Sequence, residues 1–136
     1  MTHPAIELQG AIFSTLTAST QLTNLLGANR IFDDVPTGTK PPYIVFGKSV
    51  QKDWSTDSES GMEHEISLHI WSRENGRKQV LQVQETIIAA LASLGGAMTN
   101  HHLINFSHER SEIEMRDKLR AFRGISMFRA VTEPIV

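Results

Sequence analysis

Six histidines, at positions 3, 64, 69, 101, 102 and 108, are the side chains best suited to metal or acid–base chemistry. Their spacing argues against both. His64 and His69 differ in parity, so on an extended strand they face opposite sides and cannot share an ion. His101-His102 falls in a turn, where adjacent side chains point apart. No HExxH or comparable ligand spacing is present. Nucleophilic chemistry fares no better: there is no GxSxG and no SxxK, and chance pairs of Ser or Thr with His are expected in any chain. The chain has no cysteine, which excludes disulfides, thiolate zinc sites and cysteine nucleophiles. Gly76-Arg77-Lys78 precedes a helix and could attract an anion at its N-terminus. It lacks the GxxxxGK[ST] frame, and a solvated helix start is the plainer reading. Asp33-Asp34 could take a hard cation, but loop carboxylates usually stay hydrated. No catalytic residue, metal or cofactor is therefore expected, and the chain does not read as an enzyme.

Charge is more informative. The formal net charge is −2, with 13 basic and 15 acidic residues. That balance does not suit a general nucleic-acid binder, which shows a basic excess. It hides two segments of opposite sign. Asp53, Asp57, Glu59, Glu63 and Glu65 lie in a stretch without Lys or Arg. Arg110, Arg116, Lys118, Arg120, Arg123 and Arg129 dominate the last third. Two solvated faces would explain this; so would a subunit complementary to its own copies, closing a ring head to tail. Trp54, beside a polar loop, is either an interface anchor or a side chain folded back on its sheet. The residues that would carry a contact to another subunit or to a tube are Trp54, Asp57, Glu59, Glu63, Arg120, Arg123 and Arg129.

The elements that hold these residues follow from periodicity. Residues 4–17 read as a helix, with Pro4 in the first turn and Ala5, Leu8, Ile12 and Leu16 on one side. A short helix over 20–26 is capped by Ser19 or Thr20 and stopped by Gly27. Residues 30–33 are a short extended piece, and 33–42 a Pro-containing loop. A strand runs over 43–54, a polar loop expected to be mobile follows, and a second strand spans 62–72. There Ile66, Leu68 and Ile70 alternate with Glu65, Ser67 and His69. The strongest helix is 74–94, with Val80, Val83, Ile87, Leu91 and Leu94 in a stripe; Gly95-Gly96 ends it. The segment 103–115 reads as a third long strand whose apolar parity changes between Phe106 and Ile113, which demands a bulge or a change of cover. A turn at 116–120 and a strand over 121–132 complete the chain. Consecutive long strands with two main helices predict an α+β fold: a two-layer sandwich of a mainly antiparallel sheet with the helices on one face.

At 136 residues this is one domain, 1–136. No apolar run approaches the ~20 residues needed to span a bilayer, and the N-terminus lacks the basic and apolar regions of a signal peptide. A soluble cytoplasmic domain with no membrane partner is the expectation.

Taken in order, short pieces along nearly the whole chain resemble the tail-completion, or tail-terminator, family of tailed phages. They are Ala28-Asn29-Arg30-Ile31-Phe32-Asp33-Asp34-Val35-Pro36, Pro42-Tyr43-Ile44-Val45-Phe46-Gly47, Asp53-Trp54-Ser55-Thr56 followed by Gly61 and Glu63-His64, Leu68-His69-Ile70-Trp71-Ser72-Arg73 with Gly76-Arg77-Lys78, and Phe128-Arg129-Ala130-Val131-Thr132-Glu133-Pro134. The resemblance extends to such proteins in siphophages, prophages and gene transfer particles. It implies a structural virion protein that assembles in the bacterial cytoplasm as a hexameric ring on the head-proximal end of the tail. Its partners would be its own copies, the tail tube protein and a neck connector, with DNA passing through the lumen. A head-closure protein of similar fold is one alternative, and a small-molecule binding module or enzyme another.

Overall fold

The computed structural model describes residues 3–73, 76–116 and 120–135. Helix α1 (Pro4–Thr17) begins where Pro4 needs no amide partner and the His3 ring accepts the Ala5 amide at 3.0 Å. Leu8, Ile12 and Leu16 are its buried stripe. Helix α2 (Thr20–Leu26) is capped by Ser19 Oγ, which accepts from the Leu22 amide, and stops at Gly27, whose φ of 94° few other residues tolerate. Helix α3 (Gly76–Leu91) buries Val80, Val83, Gln84, Ile87 and Leu91. It ends three residues short of the expected limit because the chain tightens there into i→i−3 bonds, Ala92 to Ala89 and Leu94 to Leu91. Residues 74–75, expected to start the helix, lie outside the described residues, as do 117–119 of the expected turn.

The strands are β1 (Ile31–Phe32), β2 (Tyr43–Asp53), β3 (Met62–Ser72), β4 (Gly96–Ala97), β5 (His101–Arg116) and β6 (Ala121–Pro134). They form one sheet in the order β1-β2-β3-β6-β5-β4. The class is α+β, with three helices and a mixed sheet among the described residues. Four pairings are antiparallel, and the two-residue β1 runs parallel to β2. Neither β4 nor the parallel pairing was legible locally, since two residues carry no periodicity.

Register assigns the faces. On β3, His64, Ile66, Leu68, Ile70 and Ser72 are buried, and on β6 they oppose Ala130, Phe128, Ser126, Gly124 and Phe122. All three helices supply the other side of this core, through Leu8, Ile12, Leu22, Val80, Val83 and Ile87. Helix α3 comes so close that a Cβ on Gly124 would sit 2.4 Å from Val80 Cγ1. The parity change in β5 is resolved by two register shifts, between Leu103 and Asn105 and between His108 and Arg110. The first turns Leu103 into the core and leaves Ile104 exposed; the second lets Phe106 and Ile113 share one face.

Candidate assembly surface

Two ends of the sheet organise the charged residues. At the loop end, one rung of paired residues runs Asp53, Met62, Thr132, Leu103; at the hairpin end another runs Tyr43, Trp71, Arg123, Glu114. They are nine rungs apart along β3, roughly 30 Å at ~3.3 Å per residue.

The loop 54–61 is closed by its own hydrogen bonds. The Trp54 amide donates to the Gly61 carbonyl at 3.0 Å and the Thr56 amide to the Glu59 carbonyl at 2.8 Å. Ser55 Oγ donates to Asp53 Oδ1 at 2.6 Å and accepts from the Gly61 amide. The Ser55 hydroxyl, with its amide, holds the Asp53 carboxyl below its ordinary value. Ser and Asp side chains substitute for strand pairing in this polar turn. Asp57 and Glu59 project from its tip into solvent with no ion-pair partner among the described residues.

Three of the expected contact residues meet beneath that loop. Arg129 donates to Glu63 Oε2 from Nη2 at 2.6 Å and from Nε at 2.7 Å, and its guanidinium carbon lies 5.8 Å from the centre of the Trp54 ring. Trp54 is still 54% exposed, so it leans on the sheet without being covered by it. A second cluster of the same composition stands at the hairpin end. There Arg123 pairs with Glu114 and lies 5.7 Å from the centre of the Trp71 ring. The Arg123 guanidinium, by hydrogen bonding, pulls the Glu114 carboxyl below its ordinary value. Sequence reading missed Trp71 and Glu114, because only register sets them beside Arg123. Arg120 is exposed next to this cluster, with a left-handed φ of 49°. Acidic and basic segments therefore do meet within one chain, at Glu63 with Arg129, while Glu114 with Arg123 is a pairing inside the basic stretch itself. The expected contact residues with no ion-pair partner among the described residues sit at opposite ends, Asp57 and Glu59 against Arg120.

Both clusters lie on the sheet face away from the helices, with Val45, His69, Ile125 and Met127 between them. Among the described residues no helix covers this face. Its ion pairs also include Lys52–Glu65 and Arg110–Glu112, so positive and negative charge alternate across it.

The histidines are accounted for separately. His64 is fully buried; Nε2 lies 2.9 Å from Thr132 Oγ1 while Nδ1 has no partner, and burial lowers its pKa to about 4. His69 faces the other side of the sheet, as parity required. His101 and His102 diverge: His101 is buried and donates from Nδ1 to Glu7 Oε2 at 2.7 Å, while His102 is exposed. Among the described residues no three His, Asp or Glu side chains gather in a group that could hold a metal. Beside His64, between α1 and strands β2 and β3, is a cavity of about 210 Å³ lined by Leu8, Ile12, Phe46 and Ile66 with Gln9, Asp33 and Ser49. That is smaller than the ~300–1,000 Å³ of ordinary ligand pockets. No helix of the described residues is long and apolar enough to cross a membrane.

An exposed sheet face and open strand edges are surfaces on which a neighbouring chain can pair. The sequence profile of tail completion protein gp17 matches residues 10–133. The chain belongs to the tail completion protein gp17 family. It is thus a structural protein of the virion tail, a class that is not enzymatic. A chain in the solved virion of a native gene transfer agent particle shares the fold, with a TM-score of 0.80 at 23% identity over 98% of this chain and 99% of that one. No curated protein matches the sequence.

Proposed function

We propose that this tail completion protein terminates the tail: as one domain, it forms a homomeric ring of six on the head-proximal end of the tail tube and joins it to the neck. The observation that carries this reading is the family membership of a fold whose outer long strands, β2 and β5, are largely open on one side. Strand β5 is unpaired on its outer side beyond Leu103, β2 is unpaired on its outer side beyond Val45, and the sheet face between them is bare. Long open edges are normally covered or blunted, and copies in a ring can cover them. The alternating charges of the bare face suit a surface past which DNA moves, since no unbroken basic patch would grip phosphates. Trp54, Asp57 and Glu59 at one end, and Arg120 and Arg123 at the other, would meet the neighbouring subunit and the tube protein.

The test is mass and shape. Light scattering of the purified protein, with and without tail tubes, should give a hexamer in at least one condition, and negative-stain images should show a ring at one tube end. Deleting the gene should leave tails of uncontrolled length unattached to heads. Normal, head-attached tails in the deletion strain would refute the reading.

A further inference from the structure

The open edges of β2 and β5 match each other. We propose that, in the ring just described, β5 of one copy pairs antiparallel with β2 of the next, displaced along the strands by four residues. The inference rests on the ring reading and specifies its contact.

The register follows from what blocks each edge. Taking β3 as a ruler, β1 covers the β2 edge at the rungs of His69 and Ile70, while β4 covers β5 only near the rung of Met62. If two copies met flush, the neighbour's β1 would fall on Glu112 and Ile113 of β5. A two-residue displacement would put it on Glu114 and Met115. An odd displacement would turn the helix-bearing face of one copy to the opposite side of the next. Four residues, ~13 Å, is the smallest displacement that brings the neighbour's β1 to the end of β5, where among the described residues of that strand it meets only Arg116. It leaves 46–53 of one copy against 108–115 of the other. Each segment has eight residues, and each contains one bulge, between Phe46 and Ser49 and between His108 and Arg110. Each therefore spans the same seven rungs.

The side chains brought together are compatible. On the helix side the neighbour's Phe46 meets Met115, which is 50% exposed in the single chain, and its Asp53 meets His108. Gln51 meets Ser111, and Ser49 meets Ile113. On the bare side Lys48 comes beside Glu114. Lys52 falls opposite Arg110, with Glu112 as its diagonal neighbour, the one like-charge opposition in the set. The displacement also carries the neighbour's acidic 54–61 loop toward the basic hairpin end. The short strands β1 and β4 act as stops: they refuse the flush register and admit the displaced one.

The absence of cysteine allows a clean test. Gln51→Cys and Ser111→Cys, introduced together, lie three strands apart within one chain, more than ~14 Å, too far for an internal disulfide. Under mild oxidation, in solution and in assembled particles, the double variant should give a ladder of disulfide-linked multimers on a non-reducing gel. Each single variant should give at most dimers. Gln51→Cys with Glu112→Cys, one residue out of register and on the opposite face, should give at least tenfold less product. Oligomers by light scattering without the ladder would overturn the edge pairing and leave the ring. Monomers alone, in both settings, would overturn both.

Discussion

His64 places a polar ring fully inside the core. One ring nitrogen bonds Thr132 and the other has no partner, so burial keeps the ring neutral down to about pH 4. In the unfolded chain the same group protonates near 6.5. Between about 4 and 6.5 the unfolded state therefore binds more protons, and stability must rise with pH through that window. A shift of this size corresponds to at most roughly 3 kcal/mol. Thermal melts from pH 7 to 4 should show the loss in the native protein and a flatter profile in His64→Gln. An unchanged profile would mean another group titrates there. Glu7 acts lower. The Asn100 amide, donating at 2.7 Å, and His101 hold its carboxyl below the ordinary 4.5. Its contribution is complete above 4.5 and is lost as pH falls through its folded value, so Glu7→Gln should weaken the fold at pH 7 and lose less between pH 4.5 and 3. Neither role was legible from residue type: Glu7 and His101 are 94 positions apart, and only the docking of α1 on the β4–β5 turn joins them.

At the level of elements, α3 on the sheet is the decisive contact. Val80, Val83, Ile87 and Leu91 are buried, each worth roughly 1.5–3 kcal/mol. Ile87→Asp should leave no folded protein by circular dichroism; a soluble, cooperatively melting variant would contradict the core. The opposite error, overfilling, is probed at Gly124. A Cβ there meets Val80 and Gln84, and Gln84 also donates to the Glu112 carbonyl at 3.2 Å. Gly124→Ala should cost about 1–3 kcal/mol in denaturant melts. The helical stripe was plain in the sequence because its period is local. The need for glycine at 124 was not, because it depends on how near a helix from another part of the chain approaches.

For the whole molecule, the question is how its charge and edges are used. Glu63–Arg129 and Glu114–Arg123 pair within the chain, so of the expected contact residues Asp57 and Glu59 on one end and Arg120 on the other have no ion-pair partner among the described residues. Reversing Asp57 and Glu59 to Lys should leave the melting temperature within a few degrees, since both are exposed loop residues, while reducing the assembled fraction in light scattering. Single exposed ion pairs contribute only ~0–1 kcal/mol, so the double change is needed to read the effect. Equal loss of monomer stability and assembly would remove these residues from the contact.

The sequence by itself determined the helices, the four long strands, the buried side of β3 and the need for a bulge in β5. All of these are periodic signals between near neighbours along the chain. It also set His64 and His69 on opposite faces of one strand by parity. Tertiary structure alone decided the strand order, the lone parallel pairing, the Trp71–Arg123–Glu114 cluster, the internal pairing of Arg129 and which edges stay open. These depend on register between distant segments: shifting one strand by a single residue would exchange its faces without altering a letter of the local pattern.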